Sequence, residues 1–370
     1  MKIIVSKSIL IGGLQIVSKA IPSKTTMSIL QYILIDATGP SIRLIGNDME
    51  LGIETLIDGT IEDRGFIALN AHIFSDIVRK LPETDVTIEL GDNFKVTITA
   101  QKAKFNIIGR AGEEFNYLPD IEKIDGIKIS QYALKSVINQ TIFATSSGNE
   151  ANRMMSGELM EIRGDSMRMV ALDGHRIAIR KISLAEAYPD KKVVVPGKTL
   201  SELSKILGDS TEEKTEIYFT DKHVMFSFGR TVVVSRLIEG EYFNIEQMLS
   251  SDYETKMTIS RKEMLESIDR ATLLVKEGDK KPVILGIGES EMELRINSTI
   301  GSLNESIGIT KQGKDLMIGF NPRFLIDALR VIEDETVDIF FVNPKAPCFI
   351  RNQEESYTYL ILPINFTTVD

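Results

Sequence analysis

Asn70-Ala71-His72-Ile73-Phe74-Ser75-Asp76-Ile77-Val78 reads as a helix-like cassette, and the chain writes it three times. Pro196-Gly197-Lys198-Thr199-Leu200-Ser201-Glu202-Leu203 begins 126 residues later. Asn321-Pro322-Arg323-Phe324-Leu325-Ile326-Asp327-Ala328-Leu329 begins another 125 residues on. A second cassette precedes each of these. Val5-Ser6-Lys7, Ile129-Ser130-Gln131 and Ile259-Ser260-Arg261 each open a helix-like run, with Leu10, Leu134 and Met264-Leu265 as its first apolar contacts. A unit repeated at this period is a whole domain and not a solenoid turn. Three copies predict domains over 1–124, 125–252 and 253–370, joined by polar stretches at 121–128 and 249–256.

Strands fill the rest of each third, read from period-two alternation. Val86-Thr87-Ile88-Glu89-Leu90 turns at Gly91-Asp92-Asn93 into Lys95-Val96-Thr97-Ile98-Thr99. Glu216-Ile217-Tyr218-Phe219 turns at Asp221-Lys222 into His223-Val224-Met225-Phe226-Ser227-Phe228, and the last third pairs 336–341 with 348–350. Ser6, Ser130 and Ser260 stand where a hydroxyl accepts from an exposed helix amide, Glu263 completes capping-box spacing, and Pro322 suits a first helical turn. The fold class predicted is α+β, each domain two helices packed on antiparallel strands.

With 370 residues and 43% hydrophobic content, each third has enough apolar residues for its own core. One cysteine, Cys348, rules out an internal disulfide and suits a reducing compartment. The start, Met1-Lys2-Ile3-Ile4-Val5-Ser6, lacks the apolar run of a signal peptide, and no stretch approaches a membrane span. The expectation is a soluble, cytoplasmic protein. Net charge is −10, which by itself opposes phosphate binding. The six helix windows nevertheless total +7, leaving −17 for everything else. Two readings stay open: chance, or a positive surface built by helices inside an acidic exterior.

Several local strings resemble the bacterial sliding clamp family, the β subunits of replicative DNA polymerase III. They are Ala171-Leu172-Asp173-Gly174-His175-Arg176-Ile177-Ala178, Val195-Pro196-Gly197-Lys198, Ser235-Arg236-Leu237-Ile238-Glu239-Gly240 and Tyr359-Leu360-Ile361-Leu362-Pro363-Ile364, with a weaker match at Gly46-Asn47-Asp48-Met49-Glu50-Leu51. The resemblance runs from the first strand to the last. It implies a head-to-tail homodimer closing a ring of six domains, helices inside and sheets outside, with double-stranded DNA through the hole. It implies phosphate tracking without base readout, for which Lys24, Arg79, Lys198 and Lys205 are candidates. It also implies a hydrophobic groove for short peptide motifs. The deeper part would hold Met155, Leu172, Gly174, His175, Arg176, Ile177, Phe243, Met248, Leu360 and Leu362. The shallower part would hold Asn152, Asn321, Phe324, Pro363, Ile364 and Asn365. Implied partners are the replicative polymerase, a clamp-loader ATPase, repair polymerases, mismatch-repair proteins and ligase. No cofactor is implied, and removing 360–370 should abolish peptide binding while leaving the ring intact.

The chain departs from the family at Leu172, where threonine is frequent, at Phe243, where proline is frequent, and at Asn152, where a basic residue is frequent. Phe366-Thr367-Thr368-Val369-Asp370 extends past the usual end and is positioned to cover part of the groove. An enzymatic reading rests on Asp173 and His175 alone, without a nucleophile elbow, P-loop, dinucleotide fingerprint or metal-ligand spacing. The other two histidines, His72 at a helix start and His223 beside a hairpin turn, suit structural roles. A scaffold that kept the fold without binding DNA is the second alternative, decided by whether the basic residues converge. A sequence-specific binder would need a helix dense in Arg, Asn or Gln, which is missing.

Overall fold

The structure, a computed structural model, describes residues 1–115, 118–146, 152–249, 252–275 and 281–366. The first repeat runs β1 (Lys2–Ser6), α1 (Lys7–Val17), β2 (Tyr32–Asp36), β3 (Ile42–Asn47), β4 (Leu51–Ile57), β5 (Thr60–Asp63), β6 (Phe66–Asn70), α2 (Ala71–Lys80), β7 (Asp85–Leu90), β8 (Lys95–Ala100) and β9 (Ala103–Ile108). The second has β10 (Ile127–Ser130), α3 (Gln131–Asn139), β11 (Gly157–Leu172), β12 (Arg176–Pro196), α4 (Gly197–Ile206), β13 (Lys214–Phe219), β14 (His223–Phe228) and β15 (Thr231–Arg236). The third has β16 (Thr255–Ser260), α5 (Arg261–Thr272), β17 (Val283–Ile287), β18 (Glu291–Ser298), β19 (Gly301–Gly313), β20 (Leu316–Phe320), α6 (Pro322–Val331), β21 (Thr336–Phe341), β22 (Cys348–Arg351) and β23 (Tyr357–Ile361).

Every helix forms where the cassettes place one, and the caps are physical contacts. Ser6 accepts from the Ile9 amide, Ser130 from Ala133 (3.1 Å), Ser260 from Glu263 (3.3 Å), Asn70 from Ile73 (3.1 Å) and Asn321 from Arg323 (3.0 Å). Each satisfies an amide that the first helical turn leaves unpaired. Phe74 and Val78, four residues apart on α2, are fully buried, while Arg79 and Lys80 sit in its last turn where the helix dipole favours cations. The hairpins follow the predicted alternation. The β7–β8 turn is one residue longer than read, with both Asn93 and Phe94 at positive φ.

Two compact units divide the chain: residues 1–135 with 198–237, and residues 136–197 with 238–370. The cut runs through the middle repeat. The first unit carries a five-stranded sheet, β5-β1-β7-β8-β9, and an eight-stranded sheet, β10-β13-β14-β15-β4-β3-β2-β6. The second carries ten strands in the order β11-β12-β23-β22-β21-β16-β19-β18-β17-β20. In each unit one repeat's last strand pairs antiparallel with the preceding repeat's fourth strand or its counterpart. β15 runs on β4 with Thr231 opposite Thr55 and Ser235 opposite Leu51, and β23 runs on β12 with Tyr357 opposite Arg180 and Ile361 opposite Arg176. Sheet edges that would otherwise be open are closed this way.

The joints are not simply polar. Ile121 is buried with Tyr218, Met225 and Val234, which anchors the first joint on the eight-stranded sheet, and Ile127 already begins β10. At the second joint Leu249 packs on the ten-stranded sheet and Thr255 begins β16.

Candidate functional site

Asp173-Gly174-His175-Arg176 is the turn between β11 and β12. Asp173 folds it: one carboxylate oxygen accepts from the His175 and Arg176 amides at 3.0 and 3.2 Å. Gly174 takes φ +85°, which a side chain would disfavour. The Arg176 guanidinium then ties distant segments together. Nε donates to Asp173 at 2.9 Å, one terminal nitrogen to Asp327 on α6 at 2.6 Å, and the other to the Phe143 carbonyl at 2.6 Å. Its central carbon, Cζ, lies 4.4 Å from the Phe324 ring centre and 5.3 Å from that of Phe143. A planar, permanently charged fork suits this arrangement, and a lysine cannot reproduce it. Asp173 is thereby engaged as a turn former and ion-pair partner. The His175 ring sits 6.0 Å from Phe324, tilted against it.

Below the turn lies an apolar floor. Leu172, Ile177 and Leu360 are buried in one cluster with Leu159, Val170 and Phe349, and Met155 and Phe243 pack against it half-buried. Met248 (44% exposed) and Leu362 (37% exposed) are more open to solvent. The Leu362 amide donates to the His175 carbonyl at 2.9 Å, which joins the C-terminal segment to the turn. The structure thus gathers Met155, Leu172, Ile177, Phe243 and Leu360 in one cluster, and ties Leu362 to the turn of Gly174, His175 and Arg176. The shallower polar pair does local work. Asn152 caps a short turn through the Met154 amide (3.0 Å), and the Asn321 oxygen caps α6. Phe324 lies against Arg176, Pro363 and Ile364 are half-buried, and Asn365 is exposed.

Sequence reasoning missed Asp327, Phe143, Met154, Tyr242 and Ile245. Tyr242 is buried and donates its hydroxyl to the Val170 carbonyl at 3.2 Å, and burial holds its pKa well above the usual tyrosine range. A signal for this linker exists in the chain: Gly240-Glu241-Tyr242-Phe243-Asn244 repeats Gly112-Glu113-Glu114-Phe115-Asn116 at a spacing of 128. Asp327 carries no such signal, because its partner lies 151 residues away.

The basic candidates divide. Arg79 and Lys205 line one cavity of about 830 Å³ in the first unit, bounded by α1, α2 and α4, together with Lys19, His72 and Gln15. Among the described residues its lining contains no carboxylate. Three candidates have acidic neighbours: Arg79 with Asp76 at 3.3 Å, Lys205 with Glu202 at 2.7 Å, and Lys198 with Asp48. Lys24 is exposed just past the first helix.

Models of the DNA polymerase III beta subunit match the chain in sequence order: its N-terminal domain over residues 1–119, its central domain over 128–244 and its C-terminal domain over 246–365. The chain belongs to this family, the beta sliding clamps. The beta sliding clamp of Staphylococcus aureus is 35% identical over 357 residues, 94% of each chain. A crystal structure of a putative DNA polymerase III beta subunit from Eubacterium rectale is 60% identical, with a TM-score of 0.95 over 99% of this chain and 100% of that one. The DNA polymerase sliding clamp of Bacillus subtilis is 34% identical at the same TM-score and coverage.

Within the clamp family's frame, the apolar floor lies where the central and C-terminal domain models meet, beside the linker that carries Tyr242, Phe243 and Ile245. The first junction is built alike but filled. Gly52 opposes Asn47 as Ile177 opposes Leu172, and the Leu118 side chain lies over Gly52, 1.8 Å from where a Cβ would stand. What remains there is a cavity of about 380 Å³ rimmed by Arg43, Glu54, Asp120 and Lys123.

Proposed function

We propose that two copies of this chain close head to tail into a ring that slides on double-stranded DNA. Family membership makes the chain a DNA polymerase processivity factor, so DNA and polymerase are its partners. The ring supplies the mechanism: a topological link holds without tight binding.

The observation that carries this reading is the strand-pairing rule. Three repeats supply three last strands and three acceptor strands, but only two pairs form within one chain. β9 pairs with β8 alone, and residues 301–308 of β19 pair with β18 alone, among the described residues. The two internal junctions fix the register of the third. At their centres Val233 faces Ile53 and Tyr359 faces Ala178, all four buried. Equivalent positions put Phe105 of one copy opposite Leu303 of the other, with Ile107 opposite Gly301. Phe105 is 39% exposed in the single chain, and Ile300, which adjoins β19 in sequence, is 53% exposed. A head-to-tail contact of this kind closes into a ring when its rotation completes a circle.

The domains are proposed as 1–124, 125–252 and 253–370. Lys24, Arg79, Lys198 and Lys205, with Lys19, are the residues proposed to face DNA. Arg79 and Lys205, each also ion-paired to a carboxylate on its own helix, share one cavity with Lys19, which supports a phosphate-facing surface. The cluster around Leu172, Ile177, Phe243 and Leu360 is proposed as the groove for polymerase, clamp-loader, repair-polymerase, mismatch-repair and ligase peptides. Chemistry is left to those partners, and loading to the ATP-driven one. No helix among the described residues is long and apolar enough to cross a membrane, and a cytoplasmic location is proposed with the rest. Solution mass tests the ring. The chain of 41.3 kDa should run at twice that mass, and Phe105→Arg, which places a charge at the centre of the third junction, should run as a single chain. A monomeric parent chain, or a dimer untouched by Phe105→Arg, contradicts the register.

A further inference from the structure

Beyond β23, residues 362–366 stay against the surface. Residues 362–366 form a strap pinned at three points. The Leu362 amide donates to the His175 carbonyl at 2.9 Å, and the Ile364 amide to the Gly319 carbonyl at 2.8 Å. The third point is the half-buried Phe366 ring, which lies against Gly319. A Cβ built on Gly319 would stand 2.7 Å from Phe366 Cδ1 and 3.0 Å from the Ile364 carbonyl oxygen. Gly319 belongs to β20 between Ile318 and Phe320, both fully buried in the core. Alternation puts position 319 on the opposite, outward face, where Met317 is 39% exposed. A side chain at 319 would therefore occupy the space that the Phe366 ring fills. β20 is the last strand of the ten-stranded order, so its outer edge has backbone groups to offer, and the strap takes one of them.

We propose that Phe366 is a positioning residue for the peptide groove: docked on Gly319, it holds residues 362–365 as the wall of the groove's shallow end. The inference rests on the groove reading above. The strap runs from the His175 turn, at the deeper part, to Gly319, two residues before Asn321 and five before Phe324. Both ends of the wall are thus tied to segments that line the groove. Chain termini fray unless something ties them down, since each ordered residue loses backbone entropy. An aromatic ring seated where glycine leaves room supplies that tie. The residue responsible lies outside the apolar floor and makes its contribution through the strap.

Two variants and two readouts test this. Phe366→Ala removes the ring, and Gly319→Ala puts a methyl group into the seat. Binding is read with a short labelled peptide ending in Leu-Phe, and strap order by hydrogen exchange at the Ile364 amide. If either change leaves the strap seated in about one molecule in ten, the apparent Kd rises about tenfold. Exchange at Ile364 should accelerate in both variants. The double variant should lose no more affinity than either single one, because both act through one contact. Unchanged or tighter binding by Phe366→Ala, or additive losses in the double variant, overturns the role of Phe366 while the groove stands. A parent chain that does not bind the peptide overturns the groove reading, and the strap's role with it.

Discussion

Glu158, at the start of β11, is fully buried, and one carboxyl oxygen accepts from the Thr141 hydroxyl at 2.7 Å. The other has no hydrogen-bond partner among the described residues. Loss of solvation raises its pKa from 4.5 to about 8, the Thr141 hydrogen bond opposing only in part. The folded chain therefore holds a proton that the unfolded chain releases above pH 4.5. Stability from this group is fully present below that value and is lost as pH rises toward about 8. Glu158→Gln keeps an acceptor for Thr141 and removes the titration. Thermal midpoints of the two chains should be close at pH 5 and should diverge by pH 9 in favour of the glutamine variant; parallel curves would count against a buried proton. The residue itself is plain in the sequence, but its burial is not, because strand alternation does not say which face meets a neighbouring helix. Arg176 teaches the same lesson: the motif around it is legible, whereas Phe143 and Asp327 lie 33 and 151 residues away and are joined to it only by folding.

At the scale of elements, helices and hairpins follow local chemistry closely, since caps, turns and periodicity act over a few residues. The C-terminal strand required tertiary information. Read from sequence, residues 360–370 form one removable tail. In the structure Leu360 and Ile361 are 5% and 1% exposed and pair with β12 and β22, so a cut there would open two strand ladders and the core. Removal should start at Leu362 instead. A chain ending at Ile361 should keep its dimeric state and thermal midpoint and lose at least tenfold in affinity for the labelled peptide, measured by anisotropy; full affinity would exclude the strap from the groove. Of the extension, Phe366 is described and residues 367–370 lie outside the described residues. Within the polar joints Ile121 and Leu249 are apolar anchors, and their packing partners include strands far along the chain.

For the whole molecule, a topological clamp predicts retention that depends on the DNA's ends. Once loaded, the protein should persist on nicked circular DNA and be lost from the same DNA after linearisation; equal loss from both would sink the topological account. Phosphate contacts without base readout further predict salt-sensitive residual affinity in a chain that cannot close. The repeat period, the caps, the hairpins and the excess positive charge on helices were set by the sequence alone, because each depends on neighbours along the chain or on simple composition. The filling of the first junction by Leu118, the four-way tie at Arg176 and the seating of Phe366 on Gly319 were decided only by tertiary structure. So was the pairing rule that, among the described residues, leaves one edge of β9 and of residues 301–308 of β19 unpaired. These contacts join residues far apart in the chain, and packing geometry decides which apolar or charged group fills each site.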